Sequence, residues 1–252
     1  MESFKRKYIK SNLGEINKKK NKMIKVKNLT RHYKTGDIIV KALNEVSFNI
    51  EKGEFLVIMG PSGSGKTTML RILGLLDNQT SGEYTIDGLS LSILPEKERN
   101  YYRLTQLGYV FQDYALINEM SALENIYILS LMEGKTKKEA VSTAREALHN
   151  VGLEGKGNRV PDELSGGEKQ RVAVARAIAK KPKILFADEP CANLDTHTSE
   201  QVLEVFKNLN KKYGQTIVMV THEAWHLKYA SRVINLRDGK IISDKKIKKI
   251  VK

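Results

Sequence analysis

The sequence has 252 residues, of which 40% are hydrophobic and only one, Cys191, is a cysteine. This length predicts one large domain or two small ones with a substantial core, and it excludes a disulfide scaffold. No apolar run approaches the ~18 residues that a membrane span needs, and the first residues lack the apolar stretch of a signal peptide. We therefore expect a globular, cytoplasmic protein.

The formal net charge of +14 lies mainly at the two ends of the chain. Residues 1–22 carry +6 and residues 240–252 carry +5, which leaves +3 for residues 23–239. A body with so small a charge does not favour nucleic acid as a partner. We expect a disordered basic extension at 1–22, which is absent if Met23 is the true initiator, and a basic tail at 240–252. Solvated ends are favoured over weak contacts with an anionic membrane surface, on the order of 1 kcal/mol per well-placed residue.

The hydrophobic pattern predicts strands of two kinds. Residues 23–30 and 46–50 alternate between apolar and polar, as half-buried antiparallel strands do. The runs at 54–59, 183–188 and 216–220 are continuously apolar, which is typical of central strands buried on both faces. Helical patterns separate these runs. The sequence thus predicts an α/β fold with a mixed-sheet core and an antiparallel β subdomain.

Between about residues 113 and 165 the sequence changes character. Two segments open with the spacing of a capping box, Ser121 with Glu124 and Thr136 with Glu139. No comparable buried strand occurs there. We expect an inserted α-helical subdomain within a single domain spanning 23–239.

A glycine-rich loop follows the first continuously apolar run and precedes a helical pattern. In this order, backbone amides and the positive helix end bind phosphate groups. Lys66 is expected to reach the β and γ phosphates, and the Thr67 hydroxyl to bind Mg²⁺. An ordinary glycine-rich turn is the alternative. The phosphate loop comprises Gly60, Pro61, Ser62, Gly63, Ser64, Gly65, Lys66, Thr67 and Thr68.

Two carboxylates end the second apolar run, at the strand edge where α/β sheets bind ligands. We expect Asp188 to hold Mg²⁺ through water and Glu189 to polarise an attacking water. Taken alone, such carboxylates are more often surface or capping residues.

The segment LSGGE places Ser165 and Glu168 at capping-box spacing before a helical pattern. A plain helix cap explains both side chains. It does not explain Gly166 and Gly167, since each costs up to ~1 kcal/mol in a helix relative to alanine. One interpretation is close approach of a ligand or partner, with a second copy of the chain donating this helix end to the bound nucleotide.

The phosphate loop, LSGGE, the DE strand end and a later histidine at a strand end, in this order, resemble the nucleotide-binding subunit of ATP-binding cassette (ABC) transporters. The resemblance covers residues 23–239. The segments MSALENI, ADEP and NLD are most similar to the lipoprotein-releasing and macrolide or peptide export group. One departure is Cys191 with Ala192, where that group usually has Thr and Gly. No basic neighbour in the sequence lowers the pKa of the thiol, so thiol sensitivity has little support.

The resemblance implies roles for further residues. Tyr33 would stack on adenine, Gln112 would contact Mg²⁺ and the attacking water, and His222 would contact the γ-phosphate. Asp195 would meet the opposite subunit, together with the signature residues Ser165, Gly166, Gly167 and Glu168. Without the family, Tyr33 and Gln112 are ordinary exposed residues, His222 is structural and Asp195 is a helix N-cap.

The function that the resemblance implies is ATP hydrolysis in a homodimer, with Mg²⁺, coupled to a separate transmembrane permease at the inner face of the cell membrane. Export is the expected direction. The alternative is a regulatory ABC ATPase that acts on a membrane partner without transport.

Overall fold

The computed structural model describes residues 22–247, and these form two sheets with helices packed around them. The ten strands of this part of the chain are β1 (Lys22–Thr35), β2 (Ile38–Glu51), β3 (Phe55–Met59), β4 (Ser81–Ile86), β5 (Leu89–Ser90), β6 (Leu107–Val110), β7 (Ile184–Asp188), β8 (Thr216–Val220), β9 (Arg232–Arg237) and β10 (Lys240–Lys246). Its six α-helices are α1 (Lys66–Leu73), α2 (Glu96–Gln106), α3 (Ala122–Met132), α4 (Lys137–Asn150), α5 (Gly166–Ile178) and α6 (Thr196–Tyr213).

The two sheets differ in the direction of their strands. The smaller has the order β2-β1-β4-β5 and is antiparallel. The larger has the order β10-β9-β3-β8-β7-β6, and every pair is parallel except the edge pair β10 and β9. The α/β fold with a mixed sheet and an antiparallel subdomain is therefore confirmed.

Both faces of the larger sheet are buried. Leu56, Ile58 and Phe186 pack into one hydrophobic core together with residues of β1, β2 and α1. Val57 and Leu185, which alternate with them, pack into a second core with residues of α5 and α6. Burial on both sides explains why these strands are continuously apolar in sequence.

The predicted helical unit contains α3 and α4, which pack against each other and against α5. Both predicted capping boxes form: Ser121 and Glu124 cap α3, and Thr136 and Glu139 cap α4. These caps satisfy backbone N–H groups that have no partner within the helix.

The C-terminal boundary of the domain differs from the prediction. The charge pattern predicts a basic tail at 240–252, but the first seven of these residues are β10, which pairs with β9. Ile241 packs against the first core while the lysines remain exposed, so the charge concealed an ordinary edge strand. The predicted extension lies outside the described residues except for Lys22, as do residues 248–252.

Candidate nucleotide-binding site

The phosphate loop joins β3 to α1 and depends on glycine at two positions. Gly60 and Gly65 have φ values of +152° and +98°, which side chains other than hydrogen rarely allow. A Cβ atom at either would lie 2.2 Å from a backbone oxygen, that of Leu236 at Gly60 and that of Ala42 at Gly65. The backbone of the loop therefore packs closely against β9 and β2, and only glycine at these two positions allows this path.

Lys66 begins α1 and is 6% exposed. Its Nζ donates a hydrogen bond of 2.8 Å to the carbonyl oxygen of Pro61 in the same loop. The ammonium group is thus held inside the curve of the loop, where loop amides and the N-terminus of α1 also favour an anion.

Thr67 and Asp188 meet across the gap between α1 and β7. The Thr67 Oγ1 donates to the Asp188 Oδ1 over 3.1 Å. Burial raises the pKa of the Asp188 carboxyl, and the hydrogen bond from Thr67 opposes part of that rise. A nearby cation stabilises the ionised form of a partly buried carboxylate. The Thr67 hydroxyl oxygen and the Asp188 carboxylate oxygen are hard ligands that suit Mg²⁺.

The rest of a Mg²⁺ coordination sphere has to come from elsewhere. Among residues 22–247 no group of three or more His, Cys, Asp or Glu side chains is placed to hold a metal ion. Mg²⁺ is commonly held by one or two protein oxygens together with water and substrate phosphates. The pair of Thr67 and Asp188 fits that mode of binding.

Glu189 and His222 follow the neighbouring strands β7 and β8. The Glu189 Oε2 lies 3.1 Å from the His222 Nδ1. The backbone of Glu189 has φ +44°, which is uncommon for a residue other than glycine, and its N–H donates to the carbonyl oxygen of Val220 over 3.0 Å. This hydrogen bond to Val220 of β8 holds the backbone of Glu189 in its uncommon conformation. The backbone in turn fixes where the Glu189 carboxylate lies at the sheet edge.

These elements enclose a cleft of about 1030 Å³. Its lining contains the phosphate loop apart from the buried Ser64, together with Glu189 and His222, but it does not include Asp188. It also contains residues that sequence reasoning missed: Ile39, Val40, Lys41, Ala42, Asn44 and Asp238. The Asp-Gly pair at 238 and 239 is a typical hairpin turn signal, but nothing in the sequence places that turn beside the phosphate loop.

Tyr33 and Gln112 are not among the residues that line this cleft. Tyr33 lies on β1 directly opposite Val40 of β2. Gln112 is exposed after β6, and its carbonyl oxygen accepts a hydrogen bond from Asn193 over 3.2 Å. A role for Gln112 at Mg²⁺ therefore stays a prediction.

The signature residues 165–168 form the start of α5. The predicted capping box is present, since the Ser165 Oγ accepts from the Glu168 N–H and a Glu168 carboxylate oxygen accepts from the Ser165 N–H. This bond to the Ser165 backbone is the largest cause that lowers the pKa of Glu168. Ser165 is exposed, and none of these residues lines the phosphate cleft of the same chain.

The two signature glycines have a cause within the chain. A Cβ at Gly167 would lie 2.1 Å from the Thr198 Cγ2, and one at Gly166 would lie 3.0 Å from the Tyr114 hydroxyl. The glycines let α5 approach α6 and the loop after β6. Their presence therefore does not by itself indicate a partner or ligand.

Asp195 and Cys191 lie in the segment between β7 and α6. Asp195 is the N-cap of α6, with its carboxylate accepting from the Thr198 N–H at 2.9 Å, and its role toward a second subunit stays a prediction. Cys191 is buried, and burial raises the pKa of its thiol to about 12. The thiol is a packing group of the second core.

The glycine-rich loop between a central parallel strand and a helix, with carboxylates at the adjacent strand end, defines a nucleoside triphosphatase of the phosphate-loop class. Known proteins specify the class further. Residues 43–192 match the family described as ABC transporter. The ABC transporter ATP-binding protein MJ1508 of Methanocaldococcus jannaschii is 46% identical over 220 residues, which cover 87% of this chain and 98% of that protein.

A solved structure described as the dimeric, post-hydrolysis state of the ATP-binding cassette MJ0796 bound to ADP and Pi has a TM-score of 0.83 and 41% identity. The match covers 90% of this chain and 99% of that one. The macrolide export ATP-binding/permease protein MacB of Mannheimia succiniciproducens is 42% identical over 222 residues, but the chain spans only 34% of its length. The chain belongs to the ABC transporter family, as one of its ATP-binding, ATP-hydrolysing domains.

Proposed function

We propose that two copies of this chain bind two Mg·ATP between them, head to tail, and that hydrolysis drives export through a separate membrane permease. The observation that carries the proposal is the division of the site. Phosphate loop, Glu189 and His222 share one cleft, whereas Ser165 is exposed outside it. A second copy related by two-fold symmetry brings each signature to the other copy's cleft.

The residues of the cleft suit phosphoryl transfer to water. Lys66 and the loop amides stabilise charge on the β and γ phosphates. Thr67 and Asp188 would hold Mg²⁺, Asp188 through water, and the ion would supply positive charge against the charge that develops on the phosphate oxygens. Glu189 accepts a hydrogen bond from the attacking water, and His222, at 3.1 Å, orients that carboxylate and faces the γ-phosphate.

The dimer has support from a relative. MJ0796, of similar sequence and fold, is described as dimeric with ADP and Pi bound. In this chain the signature helix end is capped and preformed, so its remaining N–H groups need no rearrangement to meet a phosphate. Asp195 at the start of α6 is exposed and is available to a second copy.

Coupling to a permease draws on the longer relatives. The MacB proteins are described as ATP-binding/permease proteins, and the chain matches a third of their length. Within residues 22–247 no helix combines the length and apolarity required to cross a bilayer. We assign the transmembrane work to another chain and place this one at the cytoplasmic face of the membrane, where ATP is supplied.

The proposal is tested by the dependence of ATP turnover on protein concentration. If each site needs two copies, turnover per mole of protein rises with concentration and then reaches a plateau. Lys66→Ala, which removes the ammonium group from the loop, is the control and abolishes turnover. Turnover per mole that stays constant down to the lowest measurable concentration contradicts the two-copy site.

A further inference from the structure

Three side chains form a closed group where β1 meets the loop that follows α1. The Arg31 guanidinium lies over the ring of Tyr33, with Cζ 4.4 Å from the ring centroid. The Tyr33 hydroxyl donates to the Asp77 Oδ2 over 2.7 Å, and the Arg31 Nη2 donates to the Asp77 Oδ1 over 2.8 Å. One carboxylate therefore fixes both the tyrosine hydroxyl and the guanidinium that covers the ring.

The register of β1 and β2 places Tyr33 of this group on the same face of the sheet as a residue of the cleft. Tyr33 is directly opposite Val40, and directly opposed residues of antiparallel strands place their side chains on the same face of the sheet. Val40 lines the phosphate cleft. Tyr33 as a whole residue is 37% exposed, so it keeps free surface although Arg31 covers part of its ring.

Asp77 is itself held by the loop that follows α1. Its Oδ1 accepts from the Asn78 N–H at 2.7 Å, and its carbonyl oxygen accepts from the Arg99 Nη2 at 3.0 Å. Because α1 begins inside the phosphate loop, Asp77 links the end of this helix to the Tyr33 ring. The covalent chain and these hydrogen bonds therefore set the distance between the phosphate loop and the Tyr33 ring.

We propose that Arg31 and Asp77 are positioning residues that fix the Tyr33 ring as a platform for the aromatic base of the bound nucleotide. The inference rests on the proposed function, because it needs a nucleotide in this cleft. A ring held in one orientation loses less conformational freedom when a base stacks on it. Arg31 itself is engaged by Asp77 and the ring, so it acts through Tyr33 and not on the phosphates.

The experiment compares two probes, ATP and inorganic tripolyphosphate, whose binding is measured by calorimetry without Mg²⁺. Arg31→Leu and Asp77→Asn are expected to weaken ATP binding about fivefold, the scale of one cation–π contact or one hydrogen bond, and to leave tripolyphosphate binding unchanged. Lys27→Leu, which removes an exposed charge from the same strand, is the matched control and changes neither. Unchanged tripolyphosphate binding also shows that each variant is folded.

A double variant separates positioning from direct contact. If Arg31 acts through the ring, Arg31→Leu has no further effect on ATP binding once Tyr33→Leu is present. An equal effect in both backgrounds, or a parallel loss of tripolyphosphate binding, overturns the proposal, as does unchanged ATP binding in Arg31→Leu. Should Tyr33→Leu bind ATP like the native protein, the platform is refuted, while loss of turnover in Lys66→Ala leaves the ATPase assignment in place.

Discussion

The Glu189 Oε2 lies 3.1 Å from the His222 Nδ1, which joins the ends of β7 and β8 side chain to side chain. An ionised carboxylate accepts a hydrogen bond from Nδ1 in the tautomer that carries its proton on that nitrogen. The Nε2 of the same ring is 3.4 Å from the Glu223 Oε1. The His222 ring therefore lies between two carboxylates.

Ser121 and Ser165 both cap a helix through a capping box, but only Ser165 belongs to the signature. Replacing each by alanine therefore distinguishes loss of a helix cap from loss of a signature hydroxyl. Ser121→Ala removes the cap of α3 and is expected to lower the free energy of unfolding by about 1 kcal/mol with turnover unchanged. Ser165→Ala removes an equivalent cap from α5 but is expected to lower ATP turnover at least tenfold, because the hydroxyl is proposed to meet a phosphate of the other copy. Denaturant unfolding and ATPase assays measure both effects. Similar losses of turnover in the two variants contradict a role for the signature beyond capping.

Gly167→Ala is expected to lower the free energy of unfolding by about 2 kcal/mol, because its Cβ would lie 2.1 Å from the Thr198 Cγ2. The methyl group cannot turn away without breaking the bond from the Thr198 Oγ1 to Asp195 at 2.6 Å. Thr198→Ser keeps that hydroxyl and removes the methyl. The double variant should therefore recover most of the lost stability in urea unfolding; no recovery would show that the strain lies elsewhere.

Thr67→Val is expected to raise the Mg²⁺ concentration needed for half-maximal ATP turnover at least tenfold, since it removes the hydroxyl that is bonded to Asp188. Thr67→Ser keeps the oxygen and should behave like the native protein. Chelation of Mg²⁺ with EDTA should abolish turnover in all three proteins. Equal Mg²⁺ requirements for Thr67→Val and Thr67→Ser would exclude the hydroxyl as a ligand.

Cys191 is expected to resist alkylation in the folded protein. Its pKa is raised to about 12 from an ordinary 9.0, so near pH 7.5 the reactive thiolate is about 1000-fold less abundant than for a free thiol. Mass spectrometry after treatment with N-ethylmaleimide should find the native protein unmodified and the protein in guanidinium chloride fully modified. Rapid labelling of the native protein, with loss of turnover, would restore the idea of a thiol-sensitive ATPase.

The parts of the site that were predictable from sequence are those set by local patterns. Lys66 and Thr67 follow a glycine-rich loop, and Asp188 and Glu189 end a buried strand, so strand order alone brings them to one sheet edge. The capping boxes are equally local. The pairing of Tyr33 with Asp77 was not predictable, since these residues are 44 positions apart and meet only through the register of β1 and the course of the loop after α1.

Two elements, α2 and β10, were not predictable because polar and charged residues dominate their sequences. Helix α2 (Glu96–Gln106) was not predicted because it is mostly polar, with only Arg99 and Tyr102 buried, which leaves little periodic signal. Strand β10 was masked by lysines in the same way. The signature glycines are required because α5 packs closely against α6. The sequence does not indicate this contact, since it depends on how the two helices pack.

The most direct test of the account is Glu189→Gln, which keeps the size of the side chain and removes the base. Turnover and oligomeric state are measured together, by an ATPase assay and by sedimentation with Mg·ATP. We predict that turnover falls at least 100-fold while ATP now holds the protein as a stable dimer, because binding is intact and the step that reopens the dimer is lost. Native turnover in Glu189→Gln, or a protein that stays monomeric with saturating Mg·ATP, would contradict the account.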